Sequence, residues 1–128
     1  IMALNRCIKN LLKLICLLQN NSNSNWPTDD GCTKPFLGPT ASCICYNTRV
    51  ITLYNKRGTL FTASYLDDSS NIQTSSLFRV ERVDGDCATL LILSEEDNNY
   101  LSTNKYITVN IGCICAIKCI EDVVVSNI

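Results

Sequence analysis

Nine cysteines and no histidine decide most of the chemistry open to this 128-residue chain. Cys43 and Cys45 stand at i, i+2. Cys113, Cys115 and Cys119 form a Cys-x-Cys-x3-Cys run, and Cys7, Cys16, Cys32 and Cys87 stand apart. Thiols form disulfides, ligate metals, act as nucleophiles or lie buried as small apolar side chains. Without histidine there is neither the commonest general base nor any Ser-His or Cys-His nucleophile pair. The two cysteine spacings also lack the Cys-x2-Cys knuckle of structural zinc sites. No Cys-x-x-Cys redox pair, Gly-x-Ser-x-Gly elbow or phosphate-cradling glycine loop occurs. Asp29-Asp30 and Asp67-Asp68 are adjacent acids without a ligand ladder and read as turn residues. We therefore expect no enzyme, no cofactor and no metal, which leaves packing and disulfides as the work of the cysteines.

An odd number of cysteines leaves at least one thiol free or joined to another molecule. Two cysteines at i, i+2 on one strand have Cα atoms roughly 6.5 Å apart and parallel Cβ vectors, so each pairs more easily with another segment or chain. Cys7 and Cys16, nine apart on one helix, cannot bridge each other. With Cys32 they lie outside the expected strands and are the candidates for disulfides between subunits. Cys43, Cys45, Cys87, Cys113, Cys115 and Cys119 are candidates for intradomain disulfides or buried thiols.

The elements that position these thiols fall into three regions. In residues 1–19, Leu4, Ile8, Leu11, Ile15 and Leu18 recur at helical spacing, while Arg6, Lys9, Asn10 and Lys13 hold a polar flank. This predicts an amphipathic helix whose apolar stripe packs on its own domain or between subunits. Residues 20–31, opening Asn20-Asn21-Ser22-Asn23-Ser24-Asn25, read as a flexible polar linker. From Cys32 to Ile128 the apolar period falls to two. Arg49–Tyr54 and Thr59–Tyr65 form a hairpin about Asn55-Lys56-Arg57-Gly58. Leu77–Val83 and Cys87–Leu93 flank an Asp84-Gly85-Asp86 turn, and a last long strand begins at Tyr106. If unbroken, that strand places Ile107, Val109, Ile111, Cys113, Cys115, Ile117 and Cys119 on one apolar face. Arg79, Glu81 and Arg82 read as the solvated face of a strand. Short antiparallel strands without intervening helices predict a mainly β chain, a jelly-roll-like β-sandwich preceded by one helix.

Charge and hydropathy narrow the partners. Eleven basic and twelve acidic residues give a net charge of −1, no footprint for nucleic acid and little repulsion between copies. No run of 18 uncharged apolar residues exists to insert in a membrane, and Lys13 interrupts the opening apolar run, so a secretory leader is not expected.

From Cys32 to Val125 the chain resembles the CotY/CotZ/ExsY family of spore surface proteins. The likeness is carried by Pro35-Phe36-Leu37-Gly38, Asn47-Thr48-Arg49, Leu53 to Phe61, Leu77 to Asp84, Cys87 to Leu93, Ile107-Thr108-Val109 and Cys113 to Val123. The resemblance implies a structural protein of the outer coat, crust or exosporium, made in the mother-cell cytosol without a signal peptide. It implies self-assembly, alone and with other coat proteins, into ordered lattices or fibres cross-linked by disulfides. The rival reading is a monomeric, disulfide-stapled β-sandwich recognition module for a glycan or a protein.

Overall fold

A computed structural model describes residues 6–20 and 46–126. Residues 21–31 of the expected linker, with Leu4, Cys32, Cys43 and Cys45, lie outside the described residues, while Asn20 ends the helix. In chain order the elements are helix α1 (Arg6–Asn20) and strands β1 (Thr48–Asn55), β2 (Ala63–Leu66), β3 (Ile72–Ser75), β4 (Leu77–Asp84), β5 (Cys87–Glu96), β6 (Asn99–Asn110) and β7 (Ile114–Val123). The 3-10 turn Ile111–Cys113 joins the last two strands. The chain is thus mainly β and antiparallel with one N-terminal helix, as its periodicities predict. Five strands form one sheet in the order β6-β5-β4-β1-β7, and β2 with β3 makes a separate ribbon.

The meander β4-β5-β6 follows from turn chemistry. Gly85 adopts φ 62° in the first turn and Asp97 and Asn98 adopt φ 51° and 65° in the second, backbone conformations those residue types tolerate best. The expected hairpin after β1 forms only its turn. Asn55 accepts hydrogen bonds from the backbone of Arg57 and Thr59, and Gly58 takes φ 77°. After the Tyr54–Leu60 bridge and the Phe61 N–Leu53 O bond the chain departs, and Ala63–Leu66 pairs with Ile72–Ser75 instead. Val50, Ile51 and Leu53 are buried on both faces of β1, which makes it a central strand flanked by β4 and β7.

The last strand is not continuous. Asn110 Oδ1 accepts from Gly112 N at 2.8 Å, and Ile111 N donates to Asp86 O at 2.8 Å, so the ladder stops and a 3-10 turn begins. β6 and β7 are the two outer strands, which a flat five-stranded sheet would hold about 19 Å apart. A three-residue 3-10 turn advances only about 6 Å. The sheet therefore curls until its edges meet at this end. The outer strands meet again where the Tyr100 hydroxyl hydrogen-bonds to Glu121.

Inside this curl Ile51, Leu53, Phe78, Val80, Leu90 and Ile92 form the main core with Leu12 and Ile15 of α1. A second cluster on the alternate positions joins Val50, Leu91, Leu93, Tyr100 and Val125. The helix stripe proposed for contacts between subunits thus covers the chain's own sheet. Ile15 and Leu18 are buried and Ile8 and Leu11 pack against the core, because the sheet leaves an apolar face of matching width. Leu17, off the stripe, is 57% exposed.

Two buried polar contacts fix the helix and the outer strand. Gln19 accepts from Arg49 N at 3.0 Å and donates to Val80 O at 2.7 Å. The Arg49 side chain reaches Asp122 of β7 with two bonds of 2.8 and 3.1 Å. Gln19→Leu keeps the shape and orphans both backbone groups, at about 1–3 kcal/mol each. Urea unfolding should show that loss, and a midpoint like the parent's would refute the bridging role. Burial, with the bond to Glu121 and the nearby Glu95 carboxylate, pushes the Tyr100 phenol up to about 12. The neutral phenol is therefore favoured by folding. Its contribution is complete below the ordinary phenol range near pH 10 and fades as pH rises through about 12. Tyr100→Phe should flatten this alkaline loss in urea midpoints compared at about pH 9 and about pH 11.5.

Candidate functional site

The β4-β5 turn organises one end of the molecule. Asp86, in that turn, lies 3.9 Å from Lys9 Nζ, which sets the first turns of α1 beside it. Cys7, two residues before Lys9, is exposed there with a free thiol. Cys87 opens β5 directly opposite Asn110, the last residue of β6, and is also exposed and free. The Ile111 N–Asp86 O bond draws the 3-10 turn to the same place, with Cys113 exposed at its end. Cys115 follows in β7. The partners Tyr54–Ala116 and Asn55–Ile114 leave Cys115 as the extra residue of a bulge, which turns it outward while Ile114 stays buried. Four free thiols are thus grouped at one end.

This arrangement corrects the expectation for Cys87, Cys113 and Cys115, which are neither buried nor disulfide-bonded within the chain. The single apolar face that would have buried the last two presupposed an unbroken strand. The turn at Ile111 and the bulge at Cys115 reset the alternation, so only Ile117 and Cys119 return to pack against the core. Cys119 is not among the free thiols.

Cys16 is placed differently from Cys7. It is half-buried between helix and sheet, its thiol donating to Glu81 O at 3.5 Å. Burial pushes this thiol up, with the Arg79 guanidinium pulling the other way and Glu81 adding to the rise. Arg79 and Glu81 are also not a solvated face. Arg79 donates to Thr48 Oγ1 at 3.0 Å and Asn47 O at 3.2 Å, and pairs with Glu81. Arg82 alone of the three is exposed. Periodicity gave no sign of these contacts, because the register between β1 and β4 decides which polar groups meet.

Beside the thiol-bearing end the curled sheet leaves a cleft of about 430 Å³. Leu53, Phe61, Ile107, Val109 and Ile114 make it apolar, and Cys113 lies on its lining. Among the described residues no group of three or more Cys, Asp or Glu side chains is placed to hold a metal, and no helix is long and apolar enough to cross a membrane. The chemistry this end offers is that of accessible thiols.

Accessibility makes a direct prediction, since the thiolate is the form that alkylates. Brief treatment with iodoacetamide at about pH 8, followed by peptide mass mapping, should label Cys7, Cys87, Cys113 and Cys115 well ahead of Cys16. Denaturation should remove the difference. Fast labelling of Cys16 in the folded protein would contradict its place under the helix.

No curated protein and no solved structure matches the chain. A family model described as spore coat protein Z matches residues 2–102, from the helix through the first part of β6. The chain belongs to the spore coat protein Z family, a structural family of the spore coat.

Proposed function

We propose that the protein is a self-assembling building block of the outer spore surface, whether outer coat, crust or exosporium. Its copies join one another, and other coat proteins, in ordered arrays that disulfides between subunits then lock. The observation that supports this reading best is that four free thiols, Cys7, Cys87, Cys113 and Cys115, are exposed, with Cys87 and Cys113 drawn to the same β4-β5 turn. Thiols made in the reducing cytosol of the mother cell stay free, and they oxidise once that cell lyses. Exposed thiols gathered at one end then cross-link neighbours rather than staple the domain.

The helix does not need to swing away for this. Cys7 is already accessible with α1 seated on the sheet, whereas Cys16 is withheld beneath it. Cys32 keeps the cross-linking role its sequence position suggests. The near-zero net charge removes one barrier to close packing of copies.

Replacing Cys7, Cys87, Cys113 and Cys115 together by Ser tests the reading. After oxidation, the parent should run as a ladder of covalent oligomers in denaturant without reductant, and the fourfold variant should run no higher than the dimer that Cys32 alone can join. Cys16→Ser should leave the ladder intact. A fourfold variant that cross-links like its parent would show that this end is not where subunits join. Negative-stain images of the parent should show sheets, rings or fibres, and isolated particles with and without reductant would exclude self-assembly.

A further inference from the structure

Two apolar surface features stand beside the disulfide scheme, the second of them bordered by Cys113. The first is the outward face of the β2-β3 ribbon, where Leu66 and Ile72 are direct cross-strand partners and are 54% and 73% exposed. The turn between them is well ordered. Asp67 N donates to Asn71 O at 2.9 Å, Ser70 N donates to Asp67 O at 3.0 Å, and the Asp67 carboxylate accepts from Ser69 N and Asn71 N at 2.9 Å each. The exposed Asp68 sits in the same turn. The ribbon tip is thus a preorganised pair of branched aliphatic side chains beside two acids.

The second feature is the apolar cleft at the thiol-bearing end. Its 430 Å³ falls in the range of sites that enclose small ligands, with room for two branched side chains. Tyr54 and Asn55 on its lining lead directly into Lys56 and Arg57, both exposed. An apolar recess beside two cations therefore complements an apolar pair beside two acids.

These two features lie towards opposite ends of β5. The ribbon is anchored by Ser75 Oγ to Leu93 O, and Tyr65 and Gln73 of the ribbon flank Ser94 and Glu95. The cleft adjoins the other end, where Asn110 pairs with Cys87. Leu66 and Ile72 are exposed, so the ribbon tip does not fill the cleft of its own chain.

We propose that Leu66 and Ile72 of one copy insert into the cleft of a second copy, with Asp67 and Asp68 against Lys56 and Arg57. Such a contact is heterologous, so each assembly keeps a free cleft at one end and a free ribbon at the other and continues to grow. The inference rests on the self-assembly reading and adds the direction in which copies join before disulfides form.

Sedimentation velocity of the protein kept fully reduced separates this contact from cross-linking. The parent should associate with rising concentration, and Leu66→Ser with Ile72→Ser should weaken association about 100-fold while the circular dichroism spectrum is unchanged. Asp68→Lys should weaken it, as should Lys56→Glu with Arg57→Glu, and adding Asp68→Lys to the Lys56→Glu/Arg57→Glu variant should recover part of that loss. Mixing the ribbon variant with the Lys56→Glu/Arg57→Glu variant should stop at one-to-one dimers, since each retains only one working half. A ribbon variant that associates like the parent overturns the contact, as does a triple charge variant no better than the Lys56→Glu/Arg57→Glu variant. A parent that is monomeric when reduced yet forms arrays when oxidised overturns the contact and leaves the proposed function standing. A parent that is monomeric in both states overturns both.

Discussion

A single buried glutamine settles how the helix, and with it much of the surface, is arranged. β1 and β4 are neighbours in the sheet but share only one direct pair, Ile51 with Phe78. Beyond that pair the strands part, and the Gln19 amide occupies the gap, taking the Arg49 N–H and giving to the Val80 carbonyl. A side chain of α1 thus replaces a rung between two strands. Buried backbone groups left without partners are costly, so the sheet is complete only with the helix in place. The Arg49 guanidinium then extends the constraint across β1 to β7. Its bidentate pairing with Asp122 is almost fully enclosed, and losing either partner would strand a charge away from water.

Anchoring the helix at this point determines what lies at its other end. Gln19 holds one end on β1 and β4, Leu12 and Ile15 fill the core between, and Lys9 reaches Asp86. A helix of fifteen residues is about 22 Å long, enough to carry Cys7 from the polar anchor to the far end of the sheet. The same Asp86 residue supplies the carbonyl that receives Ile111 N and starts the 3-10 turn. The grouping of Cys7, Cys87 and Cys113 is therefore a consequence of one turn being contacted by both helix and outer strand. It is not a cluster that any stretch of sequence contains.

That distinction separates what the sequence discloses from what it hides. The helix is legible because its apolar stripe repeats at 3.6 residues, and the β4-β5 hairpin because Asp84-Gly85-Asp86 marks a turn with left-handed backbone at Gly85. The turn after β1 is equally legible, yet the strand expected to return along β1 does not. Turn chemistry reverses the chain, but pairing is awarded by long-range competition, which β4 and β7 win. The thiols were misplaced for a related reason. A period-two pattern assigns faces only while the strand is unbroken, and one turn plus one extra residue send Cys113 and Cys115 to the surface. Gln19, Arg49 and Arg79 carry no local sign of burial, since the partners on other elements that enclose them lie 30 to 73 residues away in the chain.

In the proposed array, exposed thiols would also impose an order on assembly. A disulfide needs Cα atoms about 4.4–6.8 Å apart and a narrow range of torsions. Thiols that collide at random meet that condition in many orientations, and oxidation of free monomers would yield irregular aggregates. A regular array requires non-covalent contacts that align copies first, so that only correctly placed thiols come within reach. Weak contacts suffice for that role, because misaligned copies can part and rebind until the covalent step fixes them. A chain with near-zero net charge, acids at its ribbon tip, cations beside its cleft and thiols around the same end has the parts for such a sequence. In that sequence, packing chooses the geometry and oxidation makes it permanent.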